Sequence, residues 1–220
     1  MGTKDYDLDN GSCKRSSKAY APLVASALHF GMIAFPACSG ATTQDVLAKQ
    51  IGALAHHPKI VTISVGGDDA GFSTVVWNCL VERWKCASSV HSAENFMRTK
   101  LPVRLDQVYS AIGSGAPGAR VVVVGYARLF KGTCQNSLSP FGADQKRLDG
   151  AADVIDGVIA REARIYGFHF VDPRAAFDNH SVCGHPPWLN RASIPHRTET
   201  YHPNVAGHQA YARLVEAALS

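Results

Sequence analysis

KIVTISVGGDDAGF, residues 59–72, decides the fold. Its first half is an almost continuous β-branched run, and it stops at two glycines. Such a run fits a strand covered on both faces, the condition of a buried parallel sheet. ARVVVVGYA, residues 119–127, repeats the pattern and reads as the next, central strand. FHFVD, residues 168–172, is a last short strand, and GMIAFPACSG, residues 31–40, is an earlier one over about 31–36 running into a loop.

Helical periodicity fills the intervals. Ser16 or Ser17 caps an expected helix through residues 19–28, with Tyr20, Leu23, Val24 and Leu28 on one face. Thr42 followed by Asp45 resembles a capping box, and it starts a helix with Leu47, Ile51 and Leu54 inward. A long irregular segment is expected to hold Trp77, Cys79, Trp84 and Cys86. Leu105, Val108 and Ile112 mark another helix, closed by glycine-rich residues 113–118. Residues 143–167 form the longest helix, with Leu148, Ala152, Ile155 and Ile159 as its stripe and Gly167 as its end. A long loop from Pro173 leads to ETYHPNVAGH, residues 199–208, and an amphipathic helix with Tyr211, Leu214, Val215 and Leu219 closes the chain. Strands separated by helices mean an α/β domain. The expectation is one domain over residues 1–220, a three-layer α/β/α sandwich around a flavodoxin-like parallel sheet.

At 220 residues the chain can build one sizeable core. Its formal charge of +4 comes from cations scattered among acids, without the basic stripe of a nucleic-acid binder. No apolar run approaches the ~20 residues that span a bilayer. The cysteines Cys13, Cys38, Cys79, Cys86, Cys134 and Cys183 are even in number and widely spaced. They suit three disulfides in an oxidising compartment, against the alternative of six buried thiols. HSVCGH, residues 180–185, lacks the second ligand pair of a zinc finger.

In parallel sheets ligands bind at the carboxyl ends of the strands. CSG, GGDD and GYAR all follow strands, and YHPN lies on a loop able to reach the same edge. His202 precedes a proline, which biases it to an extended conformation. Glu199, three residues earlier, is a carboxylate positioned to orient the imidazole. Gly40 offers a backbone N–H at a tight turn, and the GGDD turn places a side chain beside it. These are parts of an acyl-transfer site that still needs a nucleophile. Asp68 and Asp69 also raise a divalent-metal site, but adjacent carboxylates on a strand end point opposite ways, so no metal is expected.

The blocks DNGSCKRSSKAYAPL (9–23), ACSGATTQDV (37–46), SVGGDDAGFS (64–73), VVVVGYARLF (121–130), VCGHPPWLN (182–190) and ETYHPNVAGH (199–208) resemble the SGNH, or GDSL-type, hydrolases, in their secreted actinobacterial esterase and lipase branch. The resemblance covers nearly the whole chain. It implies a secreted serine-type carboxylic-ester hydrolase without cofactor, acting on a small ester or lipid. It also implies sequential disulfides Cys13–Cys38, Cys79–Cys86 and Cys134–Cys183, His202 as catalytic base, and Gly40 as an oxyanion donor. Asp68 stands at the oxyanion asparagine's position. Glu199 stands where many members place the triad acid, in competition with a backbone carbonyl at Trp188 or its neighbours. The Trp77–Trp84 segment is expected either to line the acyl pocket or to pack the core, and Trp188 is expected with Trp77 and Trp84 to contact substrate. A monomer is the expected state.

Two departures stand out. The family's nucleophile is the serine of a GDS block at the end of a central strand, and no GDS occurs here. Ser12, Ser39 and Ser73 are not obvious substitutes. The opening residues 1–17 are polar, without the apolar core of a signal peptide. One cause would explain the missing first strand, nucleophile and signal: Met1 is an internal methionine and the natural protein begins some tens of residues upstream. The alternatives are a truncated pseudoenzyme and complementation by a separate chain. The second departure is Asp68, since an ionised carboxylate accepts hydrogen bonds and repels an oxyanion.

Overall fold

The computed structural model describes the chain apart from residues 1, 10, 11, 30, 32, 33, 132, 133, 135–139 and 194. Among the described residues, three parallel strands form the sheet: β1 (Ile60–Ile63), β2 (Arg120–Val124) and β3 (His169–Val171), in the order β1-β2-β3. Ile60 pairs with Arg120 and Val122 with His169, so all three strands run out at one edge.

The helices are α1 (Tyr20–Ala27), α2 (Thr43–Asp45, continued by a π turn Val46–Gln50 and a 3-10 turn Ile51–His56), α3 (Phe72–Leu80), α4 (Cys86–Thr99), α5 (Leu101–Gly115), α6 (Gly142–Ile165), α7 (Arg174–Phe177) and α8 (Val205–Leu219). On one face α8 packs on β2 and β3, with α1 against it. The crossovers α5 and α6 pack together on the other, giving three layers. Val121–Val124 are buried between the layers, which is why this run of branched apolar residues is a strand. Arg120, at the open end of β2, donates to the carbonyl oxygens of Ala218 and Leu219 and so caps the last turn of α8.

β1 departs from the fully buried strand its sequence predicts. All four of its residues are only half-buried. Among the described residues no strand pairs with its edge away from β2. Instead β1 borders a cavity of about 750 Å³, walled by apolar side chains such as Val24, Phe35, Ile51, Leu54 and Val61. Of the expected strand at 31–36, residues 32 and 33 lie outside the described residues, and residues 34–36 are irregular.

The 77–86 segment is the second correction, for it is helical rather than irregular. Val75, Val76 and Cys79 turn inward on α3, and Cys86, Val90, Ala93 and Met97 form the buried stripe of α4. The Cys79–Cys86 disulfide ties the two helices where they meet, with both cysteines buried. Cys13–Cys38 and Cys134–Cys183 complete the expected pairing. The α1 cap also differs. Ser16 Oγ accepts from Lys18 N–H in a preceding turn, and Ser17 N–H donates to Asp7, so the helix starts at Tyr20 with Ala19 as its uncapped flank. The capping box of Thr42 and Asp45 is present as expected. The loop from Pro173 contains α7.

Packing is close where β2 ends. A Cβ on Gly125 would lie 2.7 Å from the Phe170 ring and 2.8 Å from Asp156 Oδ2. Gly157, inside α6, has open space around its Cβ direction. Gly125→Ala is therefore expected to destabilise the protein by about 1–3 kcal/mol through overpacking. Gly157→Ala should stabilise it by about 0.4–1 kcal/mol through backbone entropy. Urea unfolding of the two variants checks both signs.

Candidate active site

Three loops leave the carboxyl edge of the sheet, and carboxylates fix them from behind. Asp69, whose side chain is fully buried, accepts from Thr43 N–H at 2.8 Å and Thr43 Oγ1 at 2.6 Å, and pairs with Arg104 at 2.9 Å. It therefore ties the GGDD turn to the start of α2, just after Gly40. Asp149, Asp153 and Asp156 share one face of α6 by their helical spacing. Asp156 accepts from Tyr126 N–H and Asp149 from Phe130 N–H, each at 2.8 Å, and Asp153 pairs with Arg128 and Arg174 at 2.9 Å. Together they anchor the GYARLF loop that follows β2. Burial pushes the Asp156 carboxyl up to about 7 and that of Asp149 to about 6.

The fourth loop carries His202. Residues 188–190 pair antiparallel with it: Tyr201 N–H donates to Asn190 O, Asn190 N–H to His202 O, and Asn204 N–H to Trp188 O. Asn204 then caps α8 by accepting from Gly207 N–H at 3.0 Å. A Cβ on Gly207 would meet Trp188 O at 2.2 Å, so only glycine lets the helix start this close. Trp188 is a structural strut here. It stacks on the His180 ring at 3.7 Å and meets Phe177 edge-on.

The His202 ring is set by two contacts. Phe72, the first residue of α3, packs edge-to-face at 5.7 Å. Nδ1 lies 3.1 Å from Thr200 O. A carbonyl oxygen only accepts, so Nδ1 carries the proton and Nε2 keeps its lone pair. The group facing Nδ1 is thus the backbone carbonyl of Thr200. Glu199 is turned elsewhere. Its Oε1 accepts from Tyr6 and Lys14. Against the cost of burial, the Tyr6 hydroxyl and the Lys14 ammonium hold the Glu199 carboxyl below its ordinary range. Burial drives the His202 imidazolium down to about 4, so the ring is neutral near pH 7.

His202, Gly40 and Asp68 line the same cavity beside β1. Gly40 has a φ of +78°, the left-handed conformation that glycine favours. Asp68 is pushed toward its protonated form by burial and by the neighbouring charge of Asp69. Ser39 and Ser64 are on the cavity wall as well. Trp77, Trp84 and Trp188 are not among the lining residues. Trp84 is exposed, and Trp77 lies under the Arg197 guanidinium at 4.6 Å. Reasoning from sequence missed Thr200, whose contribution is a backbone atom and leaves no side-chain signal. It also missed the acids of α6, whose spacing was visible in LDGAADVID, residues 148–156. Among the described residues, no group of three His, Cys, Asp or Glu side chains is placed to hold a metal ion.

Known proteins share this fold. Lipase 1 of Streptomyces coelicolor is 40% identical over 209 residues, covering 94% of this chain and 77% of that protein. A lipase of Streptomyces rimosus is 40% identical over 211 residues with the same coverages. The crystal structure of an extracellular lipase from Streptomyces rimosus superposes with a TM-score of 0.91 at 39% identity, over 97% of this chain and 92% of that one. Phospholipase A1 from Streptomyces albidoflavus NA297 superposes with a TM-score of 0.93 at 36% identity, over 98% and 92%. The GDSL-like Lipase/Acylhydrolase family matches residues 2–210, and the chain belongs to that family of ester hydrolases.

Proposed function

We propose that this chain belongs to a secreted serine esterase or lipase that cleaves carboxylic esters through an acyl-enzyme. The observation that carries the reading is the His202 ring. Its Nδ1 proton is held by Thr200 O, and the ring lines the cavity that also holds Gly40 and Asp68. In this mechanism Nε2 takes the proton of an attacking hydroxyl and returns it to the leaving alcohol. The Thr200 carbonyl replaces a triad acid by fixing the tautomer. Gly40 N–H and the Asp68 side chain face the carbonyl oxygen as it becomes an oxyanion.

The nucleophilic serine is assigned to a strand lying in the cavity along the open edge of β1. Three features support this place. The edge is unpartnered among the described residues, apolar side chains make up much of the wall, and His202 lines the cavity. Gly2 packs against the histidine loop, since a Cβ on it would meet His202 Cβ at 3.0 Å and Pro203 O at 2.1 Å. Export is supported by the three disulfides and by the extracellular relative. The competing reading is a non-catalytic module that keeps the pocket. It is favoured by the absence of a GDS serine and by the carboxylate at position 68.

Hydrolysis of a p-nitrophenyl ester separates the two. Residues 1–220 alone should turn it over no faster than their His202→Ala variant. A form carrying an upstream strand ending in GDS should turn it over in a His202-dependent way. If that form is inert while folded, the module reading replaces this one.

Asp68 donates to the oxyanion only while protonated. Raising the pH ionises it, removes a donor and adds repulsion. In the GDS-bearing form, Asp68→Asn should therefore raise kcat, approaching roughly 10²-fold at alkaline pH, the scale of one oxyanion donor. The variant-to-parent ratio should grow as pH rises, and a ratio that falls would contradict the role given to Asp68. The His202 ring, followed by NMR, should titrate near 4, far below the ordinary 6.5. A midpoint at 6.5 would place the ring in water.

A further inference from the structure

The helix that begins against His202 leads to a face the core does not use. Trp84 is 78% exposed, Phe141 61% and Val81 52%. Cations sit among the apolar groups. The Arg83 guanidinium lies 4.4 Å from the Phe141 ring, the Lys85 ammonium 5.9 Å from Trp84 and the Arg197 guanidinium 4.6 Å from Trp77. The carboxylate on the same turn, Glu82, is ion-paired to Lys85. None of the three aromatic rings lines the cavity beside β1.

We propose that this face docks on a lipid surface bearing anionic headgroups, and so brings the His202 end of the cavity to substrate held in that surface. The proposal rests on the ester-lipid reading of the site and names where its substrate comes from. Its composition points to such a surface. Indole rings settle at the headgroup level of a membrane, with their polar edge wet and their body in the acyl boundary. Arg83 and Arg197 supply the cations that an anionic surface attracts. Two large exposed apolar residues flanked by cations are otherwise an unfavourable surface in water.

The position fits as well. Trp77 follows Phe72 by five residues, about 8 Å along α3 at the helical rise. Arg197 opens the turn Arg197–Glu199 that delivers Thr200 and His202. The patch and the catalytic ring are thus the two ends of the same pair of segments. The disulfide Cys79–Cys86 holds the turn that carries Val81 and Trp84 in one shape.

The 220-residue chain, cosedimented with phosphatidylcholine vesicles with and without phosphatidylglycerol, tests this without any turnover. Residues 1–220 are expected to be inert in either case, so their binding reads the docking face alone, while inertness of the folded GDS-bearing form is what would count against the enzymatic reading. Binding is expected with phosphatidylglycerol and should weaken as salt is added. Trp84→Ser with Phe141→Ser should lower the partition constant roughly tenfold through lost apolar contact. Arg83→Gln should lower it roughly fivefold, the equivalent of ~1 kcal/mol for one cation at a charged surface. Because Trp84 and Phe141 are exposed, the double variant should keep the parent's thermal midpoint, which separates lost binding from lost fold. Failure of the folded chain to bind phosphatidylglycerol vesicles would overturn the proposal. Equal binding by the double variant would do the same, as would self-association that the double variant abolishes.

Discussion

The parallel register of β1, β2 and β3 is the constraint on which everything else rests. Ile60 opposite Arg120 and Val122 opposite His169 bring the three strand ends to one edge. Every catalytic candidate stands on a loop leaving that edge or returning to it. The register is held by Val121–Val124, buried between α8 on one side and α5 with α6 on the other. Shifting β2 by one residue would turn those side chains over and detach the loops from their anchors.

The loops themselves are not left to solvent. Asp69 joins the turn after β1 to the start of α2, and the acids of α6 hold the loop after β2. Asp69, Asp149 and Asp156 are buried or half-buried carboxylates receiving backbone N–H groups, an arrangement that is costly to leave unpaired and therefore holds its geometry. The histidine loop uses a different device, main-chain pairing with residues 188–190 followed by the Asn204 cap. The precision of the site thus comes from the backbone. The ring of His202 is itself oriented by a backbone oxygen, and Glu199 supports the neighbouring Tyr6 and Lys14 contacts instead.

Much of this was legible in the residues. The β-branched runs marked β1 and β2, and the capping box marked α2. The blocks around CSG, GGDD and ETYHPN identified the loops that meet. What escaped had physical reasons. A carbonyl such as Thr200 O belongs to every residue type, so its role depends on a turn and not on a side chain. The stripe of α4 begins at a cysteine and contains alanine, which weakens its hydrophobic signal although the spacing of Cys86, Val90, Ala93 and Met97 is helical. The half-burial of β1 depends on what lies across the cavity, and no local pattern encodes a neighbour. The rings of Trp77 and Trp84 carried no sign of whether they face a pocket, a core or the outside.

The central claim is that His202 serves a serine held in the cavity beside β1. Fluorophosphonate labelling of the protein as its own cells make it, with the modified peptide mapped by mass spectrometry, tests that claim most directly. The account predicts a label on a serine in a segment other than residues 2–220, lost when His202 is replaced by alanine. A label on Ser39, Ser64 or another serine within those residues would contradict it, because the nucleophile would then already be part of the described site.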